Sequence, residues 1–216
     1  CTCFEAPVGM TTPCHPAGRG RPAGHWEEEV RLLPSLSLGL ANHWIFLVLY
    51  AVALLVATSR LSKERRLWLF ADPKGGSRVM NIFLLLADQL FAFALLYVFC
   101  FTPFLQSPVE LSVVGLGLYG AGTVLVVVSI HYFGRASIGR PTLEGPYRLS
   151  RNPQWVGLFG VFLGLAISCG SWLLLVAVAM VGAIYHIQIL EEERMCRAKF
   201  GPEFDDYLRR VPRYVR

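Results

Sequence analysis

Residues Gln154 to Leu190 read QWVGLFGVFLGLAISCGSWLLLVAVAMVGAIYHIQIL, without a single Lys, Arg, Asp or Glu. In the middle, Ser168-Cys169-Gly170-Ser171 gathers small, turn-forming residues and breaks the run into two apolar blocks. Two apolar blocks joined by so short a break form an antiparallel helical hairpin. The first arm, Gln154 to Ser168, is 15 residues. As a helix it spans ~22 Å, short of a bilayer core that takes roughly 20 residues to cross.

Working outward, three more apolar blocks precede the hairpin: about Asn42 to Thr58, Asn81 to Phe101 and Leu111 to Tyr132, none carrying Lys or Arg. The chain of 216 residues is 54% hydrophobic and 16% charged, far more apolar than a soluble domain of that size requires. The expected fold is therefore all-α: a polytopic membrane bundle of about five transmembrane helices, ending in the hairpin and a cytosolic tail. Residues 1–35, rich in Pro and Gly and without a signal-peptide apolar region, are expected to form a flexible tail. Residues 36–138 hold helices one to three, and 139–216 the hairpin and its cytosolic extension, the whole forming one integrated domain.

The net charge of +5 does not indicate nucleic acid, because the basic residues sit between the apolar blocks. Arg60, Lys63, Arg65, Arg66, Lys74 and Arg78 separate blocks one and two; Arg135, Arg140, Arg148 and Arg151 separate three and four. More follow block five, from Arg194 to Arg216, while the loop between blocks two and three and the hairpin tip have none. The positive-inside rule then puts the C-terminus in the cytosol and the N-terminus outside.

Cys1, Cys3, Cys14, His15 and His25 follow no zinc-ligand spacing, so no metal site is expected. Cys100, Cys169 and Cys196 lie in or near apolar helices and read as small hydrophobes. Asp88 and Gln89 are polar groups inside a spanning block, where an ionisable side chain costs roughly 2.5–3.5 kcal/mol, so Asp88 is expected to bond a neighbouring helix or to be protonated. His131 and Tyr132 sit at the cytosolic interface, where both residue types serve as anchors. Gly115, Gly117, Gly120 and Gly122, with Gly157, Gly160 and Gly164, permit close helix packing.

The stretch from Gly145 to Gly157, GPYRLSRNPQWVG, is the most informative. Asn152 is a favoured N-cap and Pro153 a favoured first helical residue, so a helix starts there. Its first turn is expected to leave the N–H groups of Gln154, Trp155 and Val156 open at the positive end of the helix dipole, with Arg148 and Arg151 close by, which suits an anion. At the other end of the hairpin, Tyr185-His186-Ile187-Gln188-Ile189-Leu190 runs into Glu191-Glu192-Glu193-Arg194. The hairpin brings this acidic end beside the basic start of the first arm.

Read together, GPYRLSRNPQWVG, EEER and FGPEFDDYLRRVPR (Phe200 to Arg213) resemble the isoprenylcysteine carboxyl methyltransferase and phospholipid methyltransferase superfamily of integral membrane enzymes. The resemblance covers about 75 residues. It implies a methyltransferase that uses S-adenosylmethionine in a cytosol-facing pocket, with a lipophilic or small acceptor reaching it from the bilayer. Tyr147, Arg151, Asn152, Pro153, Trp155 and Gly157 would line the cofactor site. Glu192, Glu193 and Arg213 would complete the cofactor or acceptor side and are the catalytic candidates; Arg148, Gln154, His186 and Glu191 join the cofactor set from the same membrane face. An acceptor amine needs a base, for which Glu192, Glu193 and His186 are the candidates. Asn152 stands where many members have His, and Trp155 and Phe204 where Tyr is usual. Membrane sterol reductases share a similar hairpin and tail but bind NADPH, and a non-enzymatic membrane protein that has lost the cofactor site is a further alternative.

Overall fold

The computed structural model describes residues 36–37, 39–69, 78–103, 108–136 and 141–214. Asp88 and the five residues Cys1, Cys3, Cys14, His15 and His25 lie outside what is described, Asp88 as a side chain only. The described residues form helices α1 (Trp44–Ser59), α2 (Lys63–Leu69), α3 (Arg78–Phe101), α4 (Val109–Arg135), α5 (Pro153–Ser168), α6 (Trp172–Phe200) and α7 (Pro202–Arg210), with a short 3₁₀ turn at Gly145–Arg148. There is no strand among them, and the fold is an all-α bundle of membrane type.

α4 and α6 are each long and apolar enough to cross a membrane, while α1 and α5 are shorter apolar helices of 16 residues each. The hairpin arms are α5 and α6, joined at Cys169 and Gly170. α6 continues well past the apolar boundary at Leu190, so the acidic residues stand on a rigid helix rather than on a loop. Gly201, with φ of +56°, makes the turn into α7; an L-residue with a Cβ is strained at that backbone angle.

The tightest contact is α4 against α5. A Cβ on Gly115 would lie 2.5 Å from the Gly164 carbonyl oxygen, and one on Gly122 2.6 Å from that of Gly157. Gly117 and Gly120, by contrast, have open space where a Cβ would go, so not every α4 glycine serves packing. Buried positions on α4 (Gly115, Tyr119, Gly122, Val126, Ser129, Ile130) recur every three or four residues and define its inward stripe. The core joins Phe99 of α3, Val161 and Leu165 of α5, and Leu174 and Val178 of α6. Val48, Leu49, Val52, Leu55 and Val56 of α1 face outward, as lipid-facing residues do.

Two polar fastenings hold the helix ends. Before α1, His43 is fully buried; its Nδ1 donates to the Thr102 carbonyl (2.9 Å) and its Nε2 lies 2.8 Å from the Ser168 hydroxyl. This one ring ties α1 to the end of α3 and to the hairpin tip. Asn42 reinforces it by donating to the Ser37 and Cys100 carbonyls at 2.8 and 3.1 Å. At the opposite end of α4, the Arg65 guanidinium of α2 donates to the Phe133 and Ala136 carbonyls, which satisfies terminal acceptors at the negative end of the helix dipole.

Candidate active site at the joined ends of the hairpin

The site is assembled at the start of α5. The 3₁₀ turn carries Tyr147 inward, where it is buried, and its first residue, Gly145, has φ of +59° and rests on the Tyr132 ring. Ser150 then acts as a junction: its hydroxyl donates to the Arg213 carbonyl (3.0 Å) and accepts the Asn152 N–H (3.1 Å). The Arg151 N–H donates to the Pro212 carbonyl at 2.9 Å. The C-terminal tail is thereby stitched by its backbone to the segment preceding α5.

α5 starts at Pro153 with Asn152 in the N-cap position, but the Asn152 side chain makes no capping bond. Its amide donates instead to Glu193 Oε1 (3.2 Å) and the Arg213 carbonyl (3.3 Å). A charge-assisted bond to a carboxylate outweighs a neutral cap. The expected trio of open N–H groups is corrected too, because Val156 N–H donates to the Asn152 carbonyl at 3.1 Å.

The two carboxylates divide their partners. Glu193, whose side chain is 11% exposed, receives Arg213 Nη2 at 2.9 Å and Nε at 3.1 Å and the Asn152 amide, and forms an ion pair with Arg151, whose buried Nε lies 3.5 Å away and makes no hydrogen bond. Two arginines and an amide saturate it. The same contact holds the Arg213 guanidinium above its ordinary range. Glu192 accepts one bond, from Trp155 Nε1 to Oε2 at 3.0 Å, and Oε1 makes no hydrogen bond among the described residues. The Trp155 ring packs on Tyr185 with centroids 4.7 Å apart.

The tail and α7 cover this cluster. His186 Nδ1 lies 2.6 Å from the Tyr214 hydroxyl, and Tyr207 donates its hydroxyl to the Tyr147 carbonyl at 2.7 Å. Burial raises both the Tyr147 and the Tyr207 phenols, so both stay neutral near pH 7.

Of the residues expected from sequence, the structure gathers Arg151, Asn152, Trp155, Glu192, Glu193 and Arg213 through direct contacts. His186 joins through Tyr214 and Tyr147 through Tyr207. Pro153 is buried at the helix start, and Gln154 Nε2 is buried without a hydrogen-bond partner. Gly157 sits in the α4–α5 contact, where an added Cβ would meet Gly122 O and Val126 at 2.8 Å. Glu191 pairs with Arg194 on the exposed side of α6, at 3.1 Å, and Arg148 is exposed and makes none of the cluster's contacts. Ser150, Tyr207, Tyr214 and the Pro212 carbonyl are participants that sequence reasoning missed. Ser150, Tyr207 and Pro212 act through backbone contacts some 60 residues apart, and Tyr214 through a side-chain contact 28 residues away, for which one sequence carries no signal.

Deeper among the helices, an apolar groove of about 340 Å³ runs between α1, α3, α5 and α6. Its lining is almost wholly hydrocarbon, including Leu54, Phe99 and Phe162, with Tyr50, Gln89 and Tyr185 as its polar groups. Tyr185 is shared: it lines the groove and packs on Trp155, the partner of Glu192. One aromatic pair therefore separates the groove from the carboxylate.

Residues 111–203 match the sequence model of the family described as phospholipid methyltransferase. That stretch, less than half of the chain, takes in α4 from Leu111 onward, the hairpin and both carboxylates, and there the chain is similar to this family of membrane methyltransferases. It is also similar to the nickel-cobalt-cadmium resistance protein NccN of Alcaligenes xylosoxydans xylosoxydans, at 31% identity over 86 residues. That match covers 40% of this chain and 40% of NccN, so the chain spans less than half of that relative's length. Among the described residues, no group of three or more His, Cys, Asp or Glu could hold a metal ion.

Proposed function

We propose that the protein is an integral membrane methyltransferase that uses S-adenosylmethionine and acts on a lipophilic or small acceptor. The observation that carries this reading is the junction of Glu192 and Glu193 with Arg151, Asn152, Trp155 and Arg213, at the point where both arms of the hairpin meet the tail. It lies inside the family match, Arg213 excepted, which the tail brings back to it.

The donor set suits that cofactor. An amino-acid moiety needs a guanidinium for its carboxylate and a carboxylate for its ammonium group, and Arg151, Arg213 and Glu192 supply both kinds. A sulfonium cation is favoured over aromatic faces, and Trp155 and Tyr185 offer two rings. When bound, the cofactor supplies a methyl group activated by its positive sulfur.

The chain's own contribution is positioning and the exclusion of water. Glu193 holds Arg213 and hence the tail, which closes the site from the cytosolic side. Glu192, with Oε1 uncommitted, is the group able to take a proton from an acceptor amine, whereas a carboxylate or thiolate acceptor needs no base. Acceptor hydrocarbon enters through the groove that ends at Tyr185. In this reading the C-terminus and the site face the cytosol and the N-terminus lies outside. Residues 36–138 build the acceptor side and 139–216 the cofactor side of one domain, with residues 1–35 a tail.

The test is methyl transfer from radiolabelled S-adenosylmethionine by the purified chain in detergent, offered a prenylcysteine, a phospholipid amine and a lipophilic thiol in turn. Transfer to any one of them that is lost in Arg151→Ala supports the reading. Absence of transfer to all three, together with no binding of the cofactor, rejects it.

A further inference from the structure

Arg148 is the motif residue that the candidate active site does not absorb. Its neighbour Tyr147 is buried, but Arg148 is exposed and, among the described residues, makes no hydrogen bond or ion pair. It lines a cleft of about 330 Å³ with Leu143, Tyr207, Arg210 and Val211. Arg210 commits only its Nε, to the Asp206 carbonyl at 3.2 Å, which leaves its terminal nitrogens open. The Asp206 carboxylate is engaged by Arg209 at 2.5 Å, and no carboxylate lines the cleft. Two guanidinium groups with open donors on one cleft repel each other unless an anion lies between them, and the planar fork matches phosphate oxygens.

The residues flanking the cleft point to the anion's source. Leu149, next to Arg148, is 71% exposed, and the apolar run of α5 begins only a few residues later at Trp155. A leucine held outward at the boundary between arginines and spanning helices lies where acyl chains begin, with the basic groups at headgroup level. We propose that the Arg148–Arg210 cleft binds the phosphate of an anionic phospholipid, whose chains lie along Leu149. The site is separate from the Glu192 junction and does not depend on the methyltransferase reading.

The experiment is native mass spectrometry of the full chain released from phosphatidylcholine nanodiscs containing a minor fraction of phosphatidylglycerol, paired with thermal melting in detergent. Wild type is expected to retain phosphatidylglycerol over phosphatidylcholine. The Arg148→Gln/Arg210→Gln variant should lose about tenfold or more of that preference, as expected for two charge-assisted contacts. Arg209→Gln, outside the cleft lining, should keep it. Arg148 is exposed, so Arg148→Gln alone serves if the double variant does not fold. Equal retention of the two lipids by wild type, or an undiminished preference in either Arg148 variant, overturns the proposal. A loss as large in Arg209→Gln would mean diffuse attraction and also overturn it. Stabilisation by inorganic phosphate that depends on Arg148, without any lipid preference, would show a free-phosphate site and refute the lipid assignment.

Discussion

At the scale of single residues, two adjacent glutamates have different tasks. Glu193 is saturated by Arg151, Arg213 and Asn152, so it is a latch for the tail; Glu192 retains an uncommitted oxygen beside an aromatic pair. Glu193→Gln should therefore loosen residues near Arg213, seen as faster proteolysis of the tail, and cost roughly 1–3 kcal/mol of stability. Glu192→Gln should leave the tail closed and lower methyl transfer to an amine acceptor by about 10²-fold or more, the range of a lost general base. Equal tail proteolysis in the two variants would remove the division. Trp155→Phe keeps the ring but loses the Nε1 donor to Glu192. It should lower kcat/KM by about tenfold, the loss of one charge-assisted bond, without changing the melting temperature. Most of these residues were legible in the sequence because motif order and the hairpin place them at one membrane face. The side-chain choice at Asn152 was not legible, since local preference favours a cap and only the fold brings Glu193 within 3.2 Å.

Among elements, the α4–α5 contact and the His43 fastening set the geometry on which the site rests. Glycine content alone marked seven candidate packing positions, yet Gly117 and Gly120 face open space and Gly115, Gly122 and Gly164 face backbone. Sequence could not separate them, because α4 is apolar around most of its circumference and has no strong face to read. Gly122→Ala or Gly164→Ala should destabilise the bundle by about 1–3 kcal/mol through overpacking, while Gly117→Ala should be neutral or stabilising. Thermal melting of the three variants in one detergent checks the order, and similar losses in all three would contradict the packing described. His43→Ala opens the link between α1, α3 and the hairpin tip by removing both ring contacts, to the Thr102 carbonyl and to the Ser168 hydroxyl. The expected cost is roughly 1–3 kcal/mol. The apolar block containing α1 was legible, but this histidine was not, since the sequence shows only a polar residue at the edge of a hydrophobic run.

For the whole molecule, the all-α membrane bundle followed from hydropathy, and the hairpin from a four-residue break. α2, α7 and the extension of α6 beyond Leu190 were not legible, because they are short or charged and lack the apolar run on which the reading relied. The helices that carried no motif line a groove that meets the carboxylate junction through Tyr185 and Trp155. A C-terminal tag should be digested only from the cytosolic side of sealed vesicles, and a cysteine placed at Glu110 labelled only from the other. The central claim is that this junction holds S-adenosylmethionine. Equilibrium binding of S-adenosylmethionine and of NADPH to the full chain in detergent, repeated with Arg151→Ala, tests it most directly. The account predicts that wild type binds S-adenosylmethionine and not NADPH, and that Arg151→Ala folds but no longer binds. Tight NADPH binding without S-adenosylmethionine binding, or wild-type affinity in Arg151→Ala, would contradict it.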